Sequence, residues 1–372
     1  MLIKNGNVFL SDPARFEITD VRVENNVIAE IGALSPHPGE EVRDAAGLYV
    51  LPGFIDIHIH GFAGADTVRG EEQIRHMSRG LRRTGVAAFV PTTMSISAED
   101  TTRTLQDVQK VMDSPEKDGA AVLGAHMEAP FLALKYKGAQ AADHFMTPSV
   151  EAYEQLTEGL SCVRMVTLAP ELEGASELIA YLTEKGIVTC AAHTCATAQQ
   201  IHAAADLGLS QITHLFNAQT PLHHREPGVP GAGLSDDRIR VQVIADGIHL
   251  HPDILRIAAL CKGAEGMMLI SDSMEAAGLS DGEYDLGGQA VYVKNGAARL
   301  ADGTLAGSTL VLHKAIRNMI KLAHIAPETV IPMATSTPAD SVGAAGYGRI
   351  KPGNCGVLVL MDKDWELTEV VG

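Results

Sequence analysis

Phe54-Ile55-Asp56-Ile57-His58 is an apolar run that follows Pro52-Gly53, and it is the first of eight short runs of this kind. The other seven runs are Ala87–Val90, Ala121–Ala125, Met165–Ala169, Val188–Ala192, Ile212–Phe216, Val241–Ala245 and Met267–Ile270. Stretches of helical periodicity separate most of them, at residues 71–83, 99–112, 175–185, 196–206 and 252–262. Apolar strands that alternate with helices are typical of a parallel sheet that is covered on both faces.

Eight such units in fewer than 300 residues predict an α/β protein with a (β/α)8 TIM-type barrel over residues 51–345. A doubly wound open sheet is the alternative. Its dinucleotide-binding version is disfavoured, because no GxGxxG motif follows the first strand.

The two ends of the chain have a different pattern, which predicts one small β domain made from residues 1–50 plus 346–372. Strand-like pieces at the start are Val8-Phe9, Val21–Val23 and Val27–Ile31, and Asn25-Asn26 between the last two is a hairpin-turn signal. Near the end, Gly356–Met361 is another strand-like run.

Composition and charge exclude several classes of function. The chain has 372 residues and a formal net charge of −17, which argues against nucleic acid and anionic membranes as partners, since both attract basic surfaces. Five cysteines without a CxxC pair fit a reducing compartment. The first residues lack the pattern of a signal peptide, and no apolar run is long enough to cross a membrane. We therefore expect a cytoplasmic protein.

His58 and His60 stand two residues apart at the end of the first predicted strand. Residues i and i+2 of a strand face the same side, so the two imidazoles could share a metal ion. An HxH pair alone is weak support for a metal site, because two histidines bonded to their neighbours would look the same in a sequence.

The ends of five other predicted strands carry residues that can ligate a metal or move a proton, namely Glu128, His193, His214, Asp246 with His249, and Asp272. Catalytic groups of barrel enzymes lie at the carboxyl ends of the strands. One buried polar residue in such a place is usually just hydrogen-bonded, but the repetition predicts a site.

These residue types suit hydrolysis. Imidazoles and carboxylates bind Zn²⁺, Fe²⁺ or Mn²⁺, and a bound metal lowers the pKa of its water to about 7. A strand-end aspartate could then take the proton from the water and give it to the leaving nitrogen. Nucleophilic catalysis is disfavoured because no GxSxG motif is present, and Cys190 and Cys195 are expected to serve packing only.

A second group of polar residues, Asn217, His223, His224, Arg225 and Glu226, crowds one loop after a barrel strand. Arginine is the natural partner of a phosphate because its donors bind two oxygens at once. The alternative is a solvated loop in which Arg225 pairs with Glu226. In so acidic a chain we favour an anion site. The segment 303–309 is also expected to open a helix whose free N–H groups could bind substrate oxygens.

The chain resembles the amidohydrolase superfamily and, within it, the N-acetylglucosamine-6-phosphate deacetylase family. The resemblance covers nearly the whole chain and rests on segments in family order: Pro52–Gly61, Gly124–Glu128, Thr213–Ala218, His224–Gly228, Ala245–His249 and Asp302–Ser308. It implies a (β/α)8 barrel with a small β-sandwich built from both ends. It also implies deacetylation of N-acetylglucosamine 6-phosphate to glucosamine 6-phosphate and acetate by metal-activated water.

The resemblance implies a role for each site residue. Glu128, His193 and His214 would hold one divalent metal ion (Zn, Fe or Mn), and His58 and His60 would hold a second ion that shares Glu128. Asp272 would be the catalytic acid/base. The implied substrate contacts are Ala139, Gln140, Asn217, Ala218, Arg225, His249, Ala306, Gly307 and Ser308. Arg225 and His249 would address the phosphate, partly across the interface of a homodimer.

Four departures from the family pattern stand out: Ala129 replaces a usual Gly after Glu128, Ser271-Asp272-Ser273 replaces Thr-Asp-Ala, Gln219 replaces Met, and Cys355-Gly356 replaces Ala-Asp. None removes a ligand or the catalytic Asp. They leave room for a shifted sugar preference. Three alternatives to the implied function remain. The first is the same reaction on N-acetylgalactosamine 6-phosphate. The second is another amidohydrolase activity, such as that of a dihydroorotase, hydantoinase or adenosine deaminase. The third is an idle sugar-phosphate-binding or sensor protein.

Overall fold

The structure is a computed structural model that describes residues 1–372. Its strands are β1 Leu2–Ser11, β2 Ala14–Glu24, β3 Val27–Gly32, β4 Val42–Asp44, β5 Tyr49–Pro52, β6 Phe54–Ile59, β7 Gly61–Phe62, β8 Ala65–Asp66, β9 Val86–Pro91, β10 Ala121–Val122, β11 Ala125–Met127, β12 Val163–Leu168, β13 Val188–Ala191, β14 Gln211–Ile212, β15 Arg240–Ile244, β16 Met267–Ile270, β17 Gly282–Leu286, β18 Gln289–Lys294, β19 Ala297–Arg299, β20 Leu358–Met361 and β21 Leu367–Val371. Its helices are α1 Glu71–Arg82, α2 Ala98–Asp113, α3 Val150–Thr157, α4 Ala175–Glu184, α5 Ala198–Asp206, α6 Gly228–Ser235, α7 Pro252–Gly266, α8 Leu312–Lys321, α9 Pro327–Met333 and α10 Ser336–Ser341.

The middle of the chain forms a curled parallel sheet. Strands β6, β9 and β10 make one parallel ladder, and β11 to β16 make a second one in sequence order. At one junction Thr93 N–H donates to the carbonyl of His126, and at the other Asp272 N–H donates to the carbonyl of His58, each at 2.9 Å. Both edges of the second ladder are therefore hydrogen-bonded to the first, which brings the carboxyl ends of the strands together.

Helices cover the outside of this sheet with their apolar faces inward. In α1, the buried residues Ile74, Met77 and Leu81 recur at the spacing of one helical face. Together with the strands, these faces form one cluster of 78 buried residues. The strands of the curled sheet are buried almost throughout, as the continuous apolar runs of the sequence predict.

The two ends of the chain share one seven-stranded sheet in the order β21-β20-β5-β1-β2-β3, with β4 paired to β1. Asn25 and Asn26 form its predicted hairpin turn with φ values of 51° and 62°, a conformation that asparagine tolerates well. Successive residues alternate between two cores: Phe9 packs in the large cluster, whereas Val8 packs in a separate cluster of 11 buried residues. This sheet is thus covered on both faces.

Some elements differ from the sequence-based expectation. The predicted strand Ile212–Phe216 is reduced to β14, because His214 and Phe216 have positive φ values of 33° and 75° and leave the ladder. Helices α3, α6, α9 and α10 were not predicted; α6 is rich in glycine, and Pro332 and Pro338 interrupt the helical signal of the other late helices. Segment 303–309 does not open a helix directly, since α8 begins at Leu312.

The antiparallel sheet β17-β18-β19 was also missed. It packs on a third buried cluster, which includes Met94, Met274 and Leu286. None of the helices is long and apolar enough to cross a lipid bilayer.

Candidate metal centre and active site

The predicted ligands meet at the carboxyl ends of the parallel strands. His58 lies in β6 and His60 directly follows it, Glu128 directly follows β11, and His193, His214 and Asp272 stand two residues beyond β13, β14 and β16. All six are buried. They form two groups whose ligand atoms all lie within 4.8 Å of one another, His58-His60-Asp272 and Glu128-His193-His214. The structure therefore brings together side chains that are up to 214 positions apart in the sequence.

Glu128 stands between the two groups. Its Oε1 atom lies 3.3 Å from His193 Nε2, 3.0 Å from His214 Nε2 and 3.6 Å from His58 Nε2. Its Oε2 atom lies 3.2 Å from His60 Nε2. Asp272 Oδ1 completes the first group, at 3.4 Å from His58 Nε2 and 3.3 Å from His60 Nε2. One carboxylate thus faces both groups, as a bridging ligand would.

Three of these residues share an unusual backbone conformation. His193, His214 and Asp272 each stand two residues beyond the end of their strand, with φ values of 46°, 33° and 47°. Left-handed conformations are costly for residues other than glycine and concentrate at functional sites. The repeated turn directs each side chain towards the centre of the curled sheet.

The donor set fits a divalent cation. His193 Nδ1 lies 2.9 Å from the carbonyl of Tyr136 and must donate to it, since a carbonyl can only accept. In the neutral ring, Nε2 then presents a lone pair to Glu128 Oε1 and to His214 Nε2, which is 3.2 Å away. Lone pairs that face one another repel unless a positive charge lies between them. Imidazole nitrogens and carboxylate oxygens are ligands of Zn²⁺, Fe²⁺ and Mn²⁺.

The pKa shifts in the site show the same preference for positive charge. Burial raises the pKa of Asp272, but His58 and His60 outweigh burial and lower this pKa to about 2. Burial likewise raises the pKa of Glu128, and the surrounding histidines bring it well below its ordinary value. For His60, burial lowers the pKa, whereas Asp272 and Glu128 raise it to about 10. Burial lowers the pKa of His58 to about 4. The two carboxylates are therefore ionised and hold a cationic charge between them.

A pocket of about 300 Å³ opens above these groups. Six of the predicted substrate contacts line this pocket, namely Ala139, Gln140, Asn217, Ala218, His249 and Gly307. Residues of the metal site line it as well. His249 Nδ1 lies 2.7 Å from Asp246 Oδ2, so Asp246 fixes the orientation of this imidazole. These six residues form a wall suited to a small polar ligand.

The remaining predicted contacts do not line the pocket. Ala306 and Ser308 are buried behind it, and Ser308 Oγ donates to the carbonyl of Ser271 at 2.6 Å while its N–H donates to that of Asp272 at 2.8 Å. Ser308 therefore supports the segment that carries Asp272. Arg225 is exposed and bonds His224 Nε2 at 2.7 Å, so it pairs neither with Glu226 nor with a group in the pocket of its own chain.

Several residues around the site were not assigned a role from the sequence. Asp56 lies beneath the first group and accepts hydrogen bonds from the N–H groups of Ser271 (3.2 Å) and His58 (3.4 Å). The ring of His126 packs edge-on against that of His58, with centroids 4.8 Å apart. Asp56 lies in a predicted strand and His126 directly follows another, and the polarity of both was a usable signal. Leu286 lines the pocket from the missed β17-β18-β19 sheet, and nothing in the sequence marked it.

Ala129, which departs from the family pattern, does not displace the preceding ligand. Its side chain is buried, and the Glu128 carboxylate reaches both groups. The adjoining departure at Ser271 and Ser273 adds a hydrogen bond of 3.2 Å between their hydroxyls below Asp272.

Comparison with known proteins agrees with this geometry. The amidohydrolase family matches residues 49–372. An N-acetylglucosamine-6-phosphate deacetylase of Lysinibacillus sphaericus is 35% identical over 100% of this chain and 96% of its own length. This chain is an amidohydrolase. It belongs, within that family, to the N-acetylglucosamine-6-phosphate deacetylases, as its motifs imply.

Two further relatives bear on what this amidohydrolase acts on. An N-acetylgalactosamine-6-phosphate deacetylase of Escherichia coli O157:H7 is 35% identical and covers 94% of this chain and 92% of its own. The solved structure of an N-acetyl-D-glucosamine-6-phosphate deacetylase mutant from Mycobacterium smegmatis contains N-acetyl-D-glucosamine-6-phosphate. It has a TM-score of 0.92 and 30% identity, and it covers 100% of this chain and 97% of its own.

Proposed function

We propose that this amidohydrolase removes the acetyl group of N-acetylglucosamine 6-phosphate, giving glucosamine 6-phosphate and acetate. One observation carries the proposal: four histidines, Glu128 and Asp272 converge, and all of them except His58 line one pocket, in a chain that belongs to this family. The reaction consumes one water. A C–O bond to the acetyl carbon forms, the amide C–N bond breaks, and a proton passes to the nitrogen.

Glu128, His193 and His214 would hold one divalent ion, Zn, Fe or Mn, and His58 and His60 would hold a second ion with Glu128 shared between them. Such an ion, when bound, polarises the amide carbonyl and lowers the pKa of a water. The distances of 3.0 to 3.6 Å between Glu128 and the four imidazoles support one shared carboxylate.

Asp272 moves the proton. Its carboxyl is ionised at neutral pH and can therefore accept a proton from the attacking water. The same oxygen then gives this proton to the departing nitrogen, so one residue serves as base and acid in turn. Asp272 lines the pocket and is thus accessible to both the attacking water and the leaving nitrogen.

The pocket wall would bind the sugar phosphate through Ala139, Gln140, Asn217, Ala218, His249 and Gly307, with Ala306 and Ser308 supporting Gly307 from behind. Arg225 does not line the pocket of its own chain and bonds His224 instead. Its assignment to the phosphate therefore requires a homodimer in which Arg225 reaches the pocket of the partner subunit, while His249 acts from within.

The proposal includes the architecture that the family implies. The hydrogen bonds at both junctions of the curled sheet support a closed (β/α)8 barrel over residues 51–345. The two-sided packing of the terminal sheet supports a small β-sandwich of residues 1–50 plus 346–372. All five cysteines are free thiols, which favours the cytoplasm as the compartment.

Comparing kcat/KM for N-acetylglucosamine 6-phosphate and N-acetylgalactosamine 6-phosphate on the purified enzyme tests the function. We expect the gluco epimer to be preferred by at least about tenfold, the discrimination that one hydrogen-bonded hydroxyl provides. The galacto epimer is the second candidate, because the Escherichia coli relative that acts on it is equally similar. A reversed preference would establish that candidate, and no acetate release from either substrate would refute the proposal.

A further inference from the structure

Gln140 is buried beside the metal centre and uses both ends of its amide. Its Nε2 donates to Glu128 Oε2 at 2.7 Å, and its Oε1 accepts from the backbone N–H of Ser95 at 2.8 Å. The side chain is only 3% exposed. Gln140 thus connects the Glu128 carboxylate, which lies between the two groups of predicted metal ligands, to Ser95 in the loop that follows β9.

The orientation of this amide is fixed by its partners. A backbone N–H can only donate, so the Gln140 atom that faces Ser95 must be the oxygen. The amide nitrogen therefore faces Glu128 Oε2, and its hydrogen holds one lone pair of that oxygen. The second hydrogen of Nε2 remains free for a ligand in the pocket.

The segment that carries Gln140 is held on two sides. Ser95 Oγ donates to the carbonyl of Ala141 at 2.7 Å. Gln289, from the β17-β18-β19 sheet, donates through Nε2 to the carbonyl of Ala139 at 2.6 Å. Gln140 is therefore placed by its neighbours before any ligand binds, and the cost of ordering it is met during folding.

The bond acts on a particular oxygen of the carboxylate. Glu128 Oε2 is the atom that lies 3.2 Å from His60 Nε2, whereas Oε1 faces His193 and His214. A hydrogen bond to Oε2 stops the carboxylate from rotating and keeps one oxygen directed at each group. Residues that orient metal ligands in this way contribute about 10- to 100-fold to metal affinity.

We propose that Gln140 is a positioning residue that holds Glu128 in the bridging orientation and thereby strengthens metal binding, most of all on the His58-His60 side. The inference rests on the metal centre of the proposed function and is independent of which sugar is the substrate.

The test is a titration of the metal-free enzyme with Zn²⁺ against a competing chelator, for wild type, Q140L and Q140M. We expect both variants to bind Zn²⁺ about 10- to 100-fold more weakly in the step that uses His58 and His60, with a smaller loss in the other step. If a single step is seen, that step weakens. The urea midpoint of each metal-free variant is measured alongside, and Zn²⁺ affinities are compared only at urea-free conditions in which every variant is fully folded.

Q289L is the matched control, because it removes only the bond to the Ala139 carbonyl, whereas Ser95 still holds the Gln140 amide and the Ala141 carbonyl. Its Zn²⁺ affinity should stay within about twofold of wild type, since Gln289 touches no ligand. Wild-type affinity in both Gln140 variants would overturn the inference while leaving the metal centre intact. A wild-type enzyme that binds no Zn²⁺ would instead refute the metal centre and the inference together.

Discussion

Single side chains carry the chemistry of this site through their charge and direction. Asp272 is ionised because His58 and His60 outweigh its burial, so it is ready to accept a proton. Two carboxylates lie among four imidazoles in this cluster. The negative charge of the carboxylates therefore favours a cation that lies between the two. Sequence motifs identified all six of these side chains. The hydrogen bond of Gln140 to Glu128 had no sequence signal, because it depends on how a distant loop folds over the site.

Asp272→Asn should reduce kcat by about 10²- to 10⁴-fold, the usual contribution of a general acid/base, because the amide cannot accept the proton. Asparagine tolerates the left-handed conformation that residue 272 adopts with φ of 47°, so the backbone should be preserved. Steady-state kinetics and metal content together check this, and the metal held by Glu128, His193 and His214 should remain.

Asp281→Asn is the control for that variant. Asp281 is exposed, directly precedes β17 and only accepts from the N–H groups of Asn295 and Gly296, which form the turn between β18 and β19. Its kcat should equal that of wild type. Near-normal turnover in Asp272→Asn would show that another group moves the proton.

Among the elements, the terminal sheet is held by a buried ion pair as well as by its two cores. Arg22 on β2 donates through Nε (2.8 Å) and Nη2 (3.2 Å) to the two carboxylate oxygens of Glu40. The side chains of this pair are 3% and 8% exposed. Removing the charge of one partner leaves the other buried without compensation, which destabilises a fold.

The stability of this sheet should fall in acid. The Arg22 guanidinium lowers the pKa of Glu40 from its ordinary 4.5 to about 2. A lowered folded-state pKa gives stability that is complete above the unfolded value and is lost as pH falls from 4.5 towards 2. Glu40→Gln should therefore be less stable than wild type near neutral pH, and the difference should shrink in acid.

Urea unfolding of the metal-free protein across that pH range measures this difference. Glu17→Gln is the matched control, because Glu17 pairs with Arg15 on the same sheet but both side chains are about half exposed, at 51% and 46%. Exposed pairs contribute little to stability. Parallel pH profiles for wild type, Glu40→Gln and Glu17→Gln would contradict the role assigned to the buried pair.

For the molecule as a whole, the position of Arg225 decides whether one subunit can form a complete substrate site by itself. Arg225 is exposed and bonded to His224, away from the pocket that His249 and Asp272 line. If it serves the partner subunit, the two inactive variants Arg225→Ala and Asp272→Asn should complement each other. In a mixed dimer, one pocket then has both Asp272 and the Arg225 of its partner.

Random pairing of equal amounts of these two variants should restore roughly a quarter of the wild-type sites, since half of the dimers are mixed and each has one complete site. Activity of the co-expressed pair before the dimers are separated measures this; purification through a different tag on each variant keeps only mixed dimers and should raise the fraction to about half. Each variant purified alone is the control. If mixed dimers recover no activity, Arg225 does not contribute to the pocket of the partner subunit.

The pattern of apolar runs and helices was enough to predict the parallel sheet and the strand ends that carry His58, Glu128, His193, His214 and Asp272. This worked because the carboxyl ends of parallel strands meet at one edge, so residues at those ends are neighbours whatever the loops do. The paired ends of the chain were predictable for a similar reason, since isolated edge strands need partners.

Contacts between distant segments set the rest. The directions of His193, His214 and Asp272 depend on a left-handed turn just beyond each strand, which local propensity does not favour. The β17-β18-β19 sheet, which places Leu286 at the pocket and bonds Ala139 through Gln289, has no pattern that marks it as a wall of the site. Glu128 directs one oxygen at His60 and the other at His193 and His214. This orientation arises from packing among separate parts of the chain, which exists only in the folded molecule.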